Sequence, residues 1–505
     1  MYPLFGASVV VSGNITFEKT IYTRPSTSLI EVTIQEALYG ATVTASEGGT
    51  TLASSETNST GNYQLSFSYT TNYTISVSAQ NGTTVIGAAS SGTSVSSIYS
   101  DTIVSAGTST GNVLQNHLIT IANKSGAFNI FQQCERGKRY FATVGSTLAN
   151  IKCHWPALGT FFDPTTGVLS FLGVTSSNTD PDEFDDDVIL HEFGHYVAEN
   201  ISVDHSEGGQ HSIVGNIDMR LAWSEGLATF ISCAIRNDPV YIDSTGSKNG
   251  SGKTITSNYD NSQPSNASKY TTNEVAVTYV LWNAFLLDGS INKITSALRQ
   301  FRSLPASLEG EQMSLDTFKD LYTNQDLSTY YTNRSMSYGI DVVDGLTASS
   351  AYQIDTPLSF SLSGLTFSPS ADIDYFQFTA TNGQFYSVQT SDCINGALTS
   401  LKVYKSGDTS SVMSNDQITG SKTDNTSGIS FTAADSSTYI IEVSRFTSAS
   451  IGYGPYAGDY TKTVGRYGGY TLKVGTTALP VATSIVTASP SGGGGGGGGG
   501  CFLNH

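Results

Sequence analysis

The sequence predicts a multidomain chain in which an α+β middle region is flanked by two all-β sandwich domains. Three observations carry that expectation. At 505 residues the chain is too long for one ordinary hydrophobic core, so about three units of common size are expected. Short segments of alternating polar and apolar residues fill both ends, the period-two pattern of half-buried strands. Between them lie longer segments with apolar residues three and four apart, the pattern of helices packed on one face.

Composition narrows what such a chain does. Only 13% of its residues are charged, and Ser, Thr, Gly and Asn crowd stretches such as "TASEGGTTLASSETNSTGNYQL". That is the texture of an exported, strand-rich protein, so a secreted or cell-surface location is expected. With 24 basic against 42 acidic residues the formal charge is −18. Such a balance repels phosphate backbones and anionic membrane surfaces, and no nucleic-acid partner is expected. No run of about eighteen apolar residues occurs, so no transmembrane segment is expected. The start, "MYPLFGASVVVSGN", has an apolar patch but no basic stretch before it, and no signal peptide is evident there. The five cysteines, Cys134, Cys153, Cys233, Cys393 and Cys501, form no CxxC pair. Neither a cysteine-ligated metal nor a dense disulfide framework follows, and Cys134 with Cys153 is the one bridge that proximity suggests.

Residues 9–104 read as short strands, "SLIEVTIQ", "ATVTAS", "NYQLSFSY" and "NYTISVSAQ", broken by Gly and Asn turns; a small sandwich follows. The run "VSGNITFEK … GATVTASEGGTTLASSETNSTGNYQLSF" resembles the transthyretin-like, carboxypeptidase-regulatory-like domains attached to carboxypeptidases and to many bacterial surface proteins. Residues 106–344 form the α+β part. Strand-like "NIKCHWP" and "GVLSFLGV" come first, then helix-like "DDDVILHEFGHYVAENI", "MRLAWSEGLATFISCAIR" and "NEVAVTYVLWNAFLLDG". Residues 350–476 return to alternation. The succession "DIDYFQF", "SLKVY", "FTAADSSTYIIEV" and "GGYTLKV" resembles the bacterial pre-peptidase C-terminal domain of secreted peptidases. Residues 477–505 end in a Gly run, Cys501 and four further residues. By composition this is a flexible tail; it resembles the tails through which some bacterial surface proteins are attached, and a free, disordered end explains it equally.

Chemistry concentrates in "HEFGH". Residues four apart on a helix share a face about 6 Å apart along the axis, so His191 and His195 can aim at one metal ion with Glu192 beside them. With 7 His and 15 Glu in the chain, chance supplies this pattern only about 0.003 times. Asp185, Asp186 and Asp187 stand where a helix N-terminus favours carboxylates. A catalytic zinc needs a third protein ligand and an open position. The residues after His195, "YVAENIS", lack the glycine and histidine of HExxHxxGxxH and exclude the metzincin pattern. Glu199 lies on the same face a turn further on, where it supports the site from behind or meets solvent. Glu225, in "LAWSEGLATF", is a carboxylate in an apolar helix and needs a partner such as a metal.

HEFGH followed by a WSEGLA-type helix resembles the gluzincin metallopeptidases, the group of thermolysin, fungalysin and the zinc aminopeptidases. That resemblance implies a zincin-like catalytic domain hydrolysing peptide bonds, with His191, His195 and Glu225 as ligands of one zinc ion and Glu192 as general base. Thermolysin-like enzymes carry an Asp four residues after the ligand Glu, whereas this chain has Thr229, so the group that orients His191 stays open. Gluzincins use a Tyr or His to stabilise the oxyanion. Tyr279 and His211 are the candidates, with a packed helix aromatic and a polar loop histidine as their respective other readings; His205 is a weaker third. An edge strand binds substrate in such folds, and residues 167–174 are the segment nominated, with an ordinary sheet strand as the other reading. The acidic run "DPDEFDDD" at residues 180–187 suits calcium or helix capping alike. A surface adhesion protein with a structural or inactive zincin domain, and a hydrolase of glycan-linked peptide, remain the competing functions.

Overall fold

The computed structural model describes residues 7–23, 30–89, 95–173, 181–204, 206, 208, 211, 217, 219–245, 254–262, 268–303, 313–336, 341–343, 345–367, 372–394, 399–408, 413–415, 427–445 and 469–477. His205, residue 174, residue 180 and the tail from residue 478, with Cys501, lie outside them. The chain is multidomain and mostly β, with several sheets and few helices.

The first strands are β1 (Ala7–Thr23), β2 (Ile30–Ala37), β3 (Thr42–Glu47), β4 (Thr50–Glu56), β5 (Asn62–Tyr69), β6 (Tyr73–Ser78), β7 (Thr84–Ala89), β8 (Val95–Ile98), β9 (Ser100–Gly107), β10 (Gly111–Leu114) and β11 (His117–Ile119). Alternation does what period two demands: Tyr63, Leu65, Phe67 and Tyr69 of β5 point inward while the residues between them face solvent. β1 is long enough to serve two sets of partners. Its first half pairs with β5 and β10, and its second half with β2 and β11. The order β4-β3-β6-β9 makes the opposing sheet, and apolar faces packed between the two give this part its sandwich character.

After these come α1 (Ser125–Thr143), β12 (Ile151–Ala157), β13 (Phe161–Asp163), β14 (Val168–Leu172), α2 (Asp186–Ile201), α3 (Met219–Arg236), β15 (Val240–Thr245), β16 (Thr254–Asp260), α4 (Glu274–Asp288), α5 (Asn292–Gln300), α6 (Leu315–Leu321) and α7 (Ser328–Asn333). Their sheet runs β13-β14-β12-β7-β8, so strand pairing crosses the boundary expected near residue 105. β7 joins β12 in parallel, with Ile86 opposite Cys153, and one hydrophobic core extends from Val9 to Met336. The nominated substrate strand is corrected by this order: β14 lies inside the sheet between β13 and β12, and the edge beside it is β13. The Sγ atoms of Cys134 and Cys153 lie 3.8 Å apart as two buried thiols.

The acidic run opening α2 is also used differently from a side-chain cap. Asp185 occupies the N-cap position without a side-chain cap bond. Its carboxylate instead accepts the Ser244 hydroxyl at 2.7 Å. Asp186 pairs with Lys19 of β1 at 2.6 Å, and Asp187 pairs with Arg236 of α3 and accepts Ile242 N–H at 2.7 Å. Three successive carboxylates thus fix one helix end to β1, α3 and β15, while Asp186 and Asp187 still complement the helix dipole.

The C-terminal part has β17 (Tyr352–Gln353), β18 (Ser359–Thr366), β19 (Ile373–Thr379), β20 (Phe385–Ile394), β21 (Thr399–Lys405), β22 (Met413–Asn415), β23 (Gly428–Thr432), β24 (Thr438–Arg445) and β25 (Gly469–Gly475). They form two sheets, β17-β19-β24-β21-β22 and β18-β25-β20-β23, around a second core that includes Phe376, Tyr386, Val403, Ile441 and Leu472. Among the described residues no helix is long and apolar enough to cross a membrane.

Candidate metal centre

The helices of the site meet through two glycine-sized gaps, one between α2 and α3 and one between α3 and α4. Gly194 of α2 stands against Ala228 of α3, where a Cβ would lie 2.7 Å from the Ala228 Cα. Gly226 of α3 stands against α4, where a Cβ would lie 2.6 Å from the Glu274 carbonyl oxygen. Such close approach brings the flanking side chains of α2 and α3 together. His191 Nε2 is 3.0 Å from Glu225 Oε2, His195 Nε2 is 3.3 Å from the same oxygen, and the two Nε2 atoms are 3.1 Å apart. His191 and Glu225 are buried, and the His195 side chain keeps only 11% exposure.

The donor set fits a tetrahedral ion. Zinc bonds to nitrogen and carboxylate oxygen are about 2.0–2.1 Å long, so a regular tetrahedron has edges of about 3.3–3.4 Å; the triangle departs from that by a few tenths of an ångström. Two imidazoles and one carboxylate also form the open three-ligand pattern of catalytic zinc rather than a closed structural one.

Charge in the pocket is strongly coupled. Burial works against ionising Glu225, but His211 and His195 hold its carboxyl well below the ordinary range. Burial likewise opposes charge on His195, yet Glu225 raises it to about 9. His191, wholly enclosed, is lowered by burial. Burial pushes the Glu192 carboxyl up to about 7, while its Oε2 accepts the Phe162 N–H from edge strand β13 at 2.8 Å.

Groups behind the triangle hold its members. His191 Nδ1 meets the Thr229 hydroxyl at 3.0 Å, so Thr229 stands where an orienting group is needed. His195 Nδ1 meets Ser224 Oγ at 3.2 Å, and that hydroxyl donates to Asp204 Oδ2 at 2.5 Å. His211 comes to the site as well: its Nε2 lies 3.5 Å from Glu225 Oε2 and its Nδ1 2.7 Å from Glu274 Oε2. Glu225 and Glu274 overcome the cost of burying charge and raise His211 to about 10. Tyr279 is not brought to the triangle. Its hydroxyl accepts from Asn333 at 3.3 Å, and its ring packs against Tyr330 and beneath Arg334. Burial and Asp204 raise the Glu199 carboxyl, which Arg302 opposes.

Sequence reasoning missed Ser224, Asp204 and Glu274. Two of them left a trace: Ser224 immediately precedes Glu225, and Glu274 is the charge that opens a largely apolar helix. A second oxygen-only group brings carboxylates of Asp182, Asp185 and Asp243 within 4.8 Å of one another, adding a residue of β15 to the acidic run.

Comparison with known proteins identifies one part of the chain. Residues 372–445, in the C-terminal sandwich, match the family of the bacterial pre-peptidase C-terminal domain. No curated protein matches the chain. Among solved structures, the pre-peptidase C-terminal domain of a collagenase from Bacillus anthracis is 15% identical, covers 27% of this chain and 98% of that one, and has a TM-score of 0.18. A cycloisomaltooligosaccharide glucanotransferase from Paenibacillus sp., solved with cycloisomaltoheptaose, is 9% identical over 92% of this chain and 72% of that one, with a TM-score of 0.13. Both scores are too low to bear on the fold.

Proposed function

We propose that this chain is a secreted or cell-surface zinc-dependent metalloendopeptidase of gluzincin type. Its zincin-like region carries the chemistry, and a transthyretin-like sandwich and a pre-peptidase C-terminal sandwich accompany it. The carrying observation is the triangle of His191 Nε2, His195 Nε2 and Glu225 Oε2, with edges of 3.0 to 3.3 Å, beside the buried carboxyl of Glu192. These three residues would hold the ion. Bound zinc supplies Lewis acidity, polarising a peptide carbonyl and acidifying the attacking water.

The remaining work falls to the chain itself. Glu192, with a carboxyl near neutrality in its acidity, takes a proton from the attacking water and later delivers it to the leaving amine; a base is most effective when its pKa lies near the working pH. The Phe162 N–H holds one carboxylate oxygen of Glu192, which orients the group for that transfer. Glu274 holds His211 at Nδ1, and its Nε2–H, on the side of Glu225, would serve an oxyanion developing on the substrate. A protein or peptide substrate would add as a strand along the outer edge of β13. Asp182, Asp185 and Asp243 are the carboxylates that would take calcium, a hard cation that prefers oxygen ligands.

The pre-peptidase C-terminal domain supports a protease, since that domain is typical of secreted bacterial proteases. The test is casein hydrolysis by the wild-type chain and by Glu192→Ala at equal zinc loading. The proposal expects wild-type cleavage that a chelator abolishes and a Glu192→Ala protein that keeps its metal but loses cleavage by at least about a hundredfold. Cleavage undiminished in Glu192→Ala refutes the assigned base.

A further inference from the structure

We propose that Asp204 and Ser224 are positioning residues that hold the His195 imidazole in the orientation and tautomer that metal binding needs, a role that rests on the zinc reading above. The two belong to different elements. Asp204 lies three residues beyond the end of α2, and Ser224 sits on α3 directly before Glu225. Ser224 is buried, with its Oγ 3.2 Å from His195 Nδ1 and 2.5 Å from Asp204 Oδ2. The other oxygen of Asp204 accepts the Ser206 N–H at 2.8 Å, so backbone holds the carboxylate in place.

Proton counting gives this chain of contacts a direction. A serine hydroxyl has one proton to donate and lone pairs to accept with. A carboxylate can only accept, so the Ser224 proton goes to Asp204, in a short bond of the strong, charge-assisted kind. The hydroxyl must then accept from His195 Nδ1–H. In the neutral imidazole that a metal ligates, this keeps the proton on Nδ1 and leaves the Nε2 lone pair for the position shared with His191 Nε2 and Glu225 Oε2. Without the carboxylate the hydroxyl could donate to Nδ1 instead, moving the imidazole proton to Nε2 and blocking ligation. Asp204 therefore acts on His195 through one intervening hydroxyl, as a carboxylate acts directly on a ligand histidine in many metal sites. His191 Nδ1 likewise meets a hydroxyl, that of Thr229.

The experiment measures zinc affinity by competition with a chromophoric chelator for the wild type, Ser224→Ala, the isosteric Asp204→Asn and the double variant. The melting temperature of each metal-free protein is recorded alongside. Each single variant is expected to lose about 10- to 100-fold in affinity, and the double variant to lose no more than the worse single one, because both changes cut one relay. Melting of metal-free Asp204→Asn should stay close to wild type. Wild-type affinity in either single variant, or losses that multiply in the double variant, overturns the relay. A wild-type protein with no zinc affinity overturns the zinc reading itself, and the relay with it.

Discussion

Gly194→Ala places a methyl group where α2 and α3 touch. The added Cβ would lie 2.7 Å from Ala228 Cα, 2.8 Å from Ala228 O and 3.2 Å from Ala228 C. Carbon atoms rest at about 3.5–4.0 Å, so the helices must part by about 0.8 Å. All three contacts include or adjoin backbone, and no side-chain rotation relieves them. Overpacking of this kind costs about 1–3 kcal/mol, and the backbone clash places it at the upper end. Alanine returns about 1 kcal/mol as the better helix former, leaving a net loss of about 2 kcal/mol. The same displacement acts on function, because α2 carries His191 and His195 and α3 carries Glu225. A triangle with edges of 3.0 to 3.3 Å opened by about 0.8 Å no longer suits bonds of about 2.0–2.1 Å. Urea denaturation should report the lost stability, and chelator competition at least a tenfold weaker hold on zinc, equivalent to about 1.4 kcal/mol. A variant as stable as wild type, with unchanged zinc affinity, refutes the claim that helix contact at Gly194 sets the site.

Three further outcomes follow from other parts of the molecule. Lys19→Met removes the buried ammonium that pairs with Asp186 at 2.6 Å and Glu36 at 3.3 Å; urea denaturation should show a loss of about 2 kcal/mol, below the 3–5 kcal/mol of a fully enclosed pair because Asp186 keeps partial exposure. Glu47 accepts the Thr71 and Thr70 backbone N–H groups and both hydroxyls, bonds that hold its carboxyl down at about 2 against an ordinary 4.5. A depressed carboxyl stabilises the fold above its unfolded pKa and loses that contribution as pH falls through the folded value, so Glu47→Gln should flatten the decline in melting temperature between those two pH values; a carboxyl titration midpoint near 4.5 by NMR contradicts it. Refolding in a glutathione redox buffer should join Cys134 to Cys153, whose Sγ atoms are 3.8 Å apart, seen as loss of two hydrogens by mass spectrometry and about 3 kcal/mol of added stability for a loop of this size; alkylation of both Cys134 and Cys153 after unfolding would contradict it.

Much of the site was legible because helical period and ligand spacing are local properties. HEFGH, WSEGLATF and the apolar segment after Asn273 each mark a helix, and α2, α3 and α4 form where those patterns lie. Alternation marked the strands equally well, including the C-terminal run whose family match was found. What the sequence hid was pairing in space. Nothing in "TVIGAA" says that β7 joins β12 in parallel, because period two fixes which residues turn inward but not which strand lies alongside. β14 misled for the same reason: an apolar strand is compatible with an edge or an interior position until its neighbours are known. His211 and Glu274 are 63 positions apart, and only the folded chain brings them together. Tyr279 reads as polar and reactive in sequence, yet α4 turns it toward Asn333 and Tyr330. Thr229 and Ser224 were disguised by chemistry rather than distance, since hydroxyls meet both histidines, and at His191 one stands where thermolysin-like enzymes carry a carboxylate.

The central claim is that His191, His195 and Glu225 form one zinc site, and the most direct measurement is the zinc content of the purified chain after dialysis, by elemental mass spectrometry. About one zinc per chain is expected in the wild type and in Glu192→Ala, and a marked loss in Glu225→Ala. A wild-type chain that retains no zinc, or a Glu225→Ala chain that retains as much as the wild type, contradicts it.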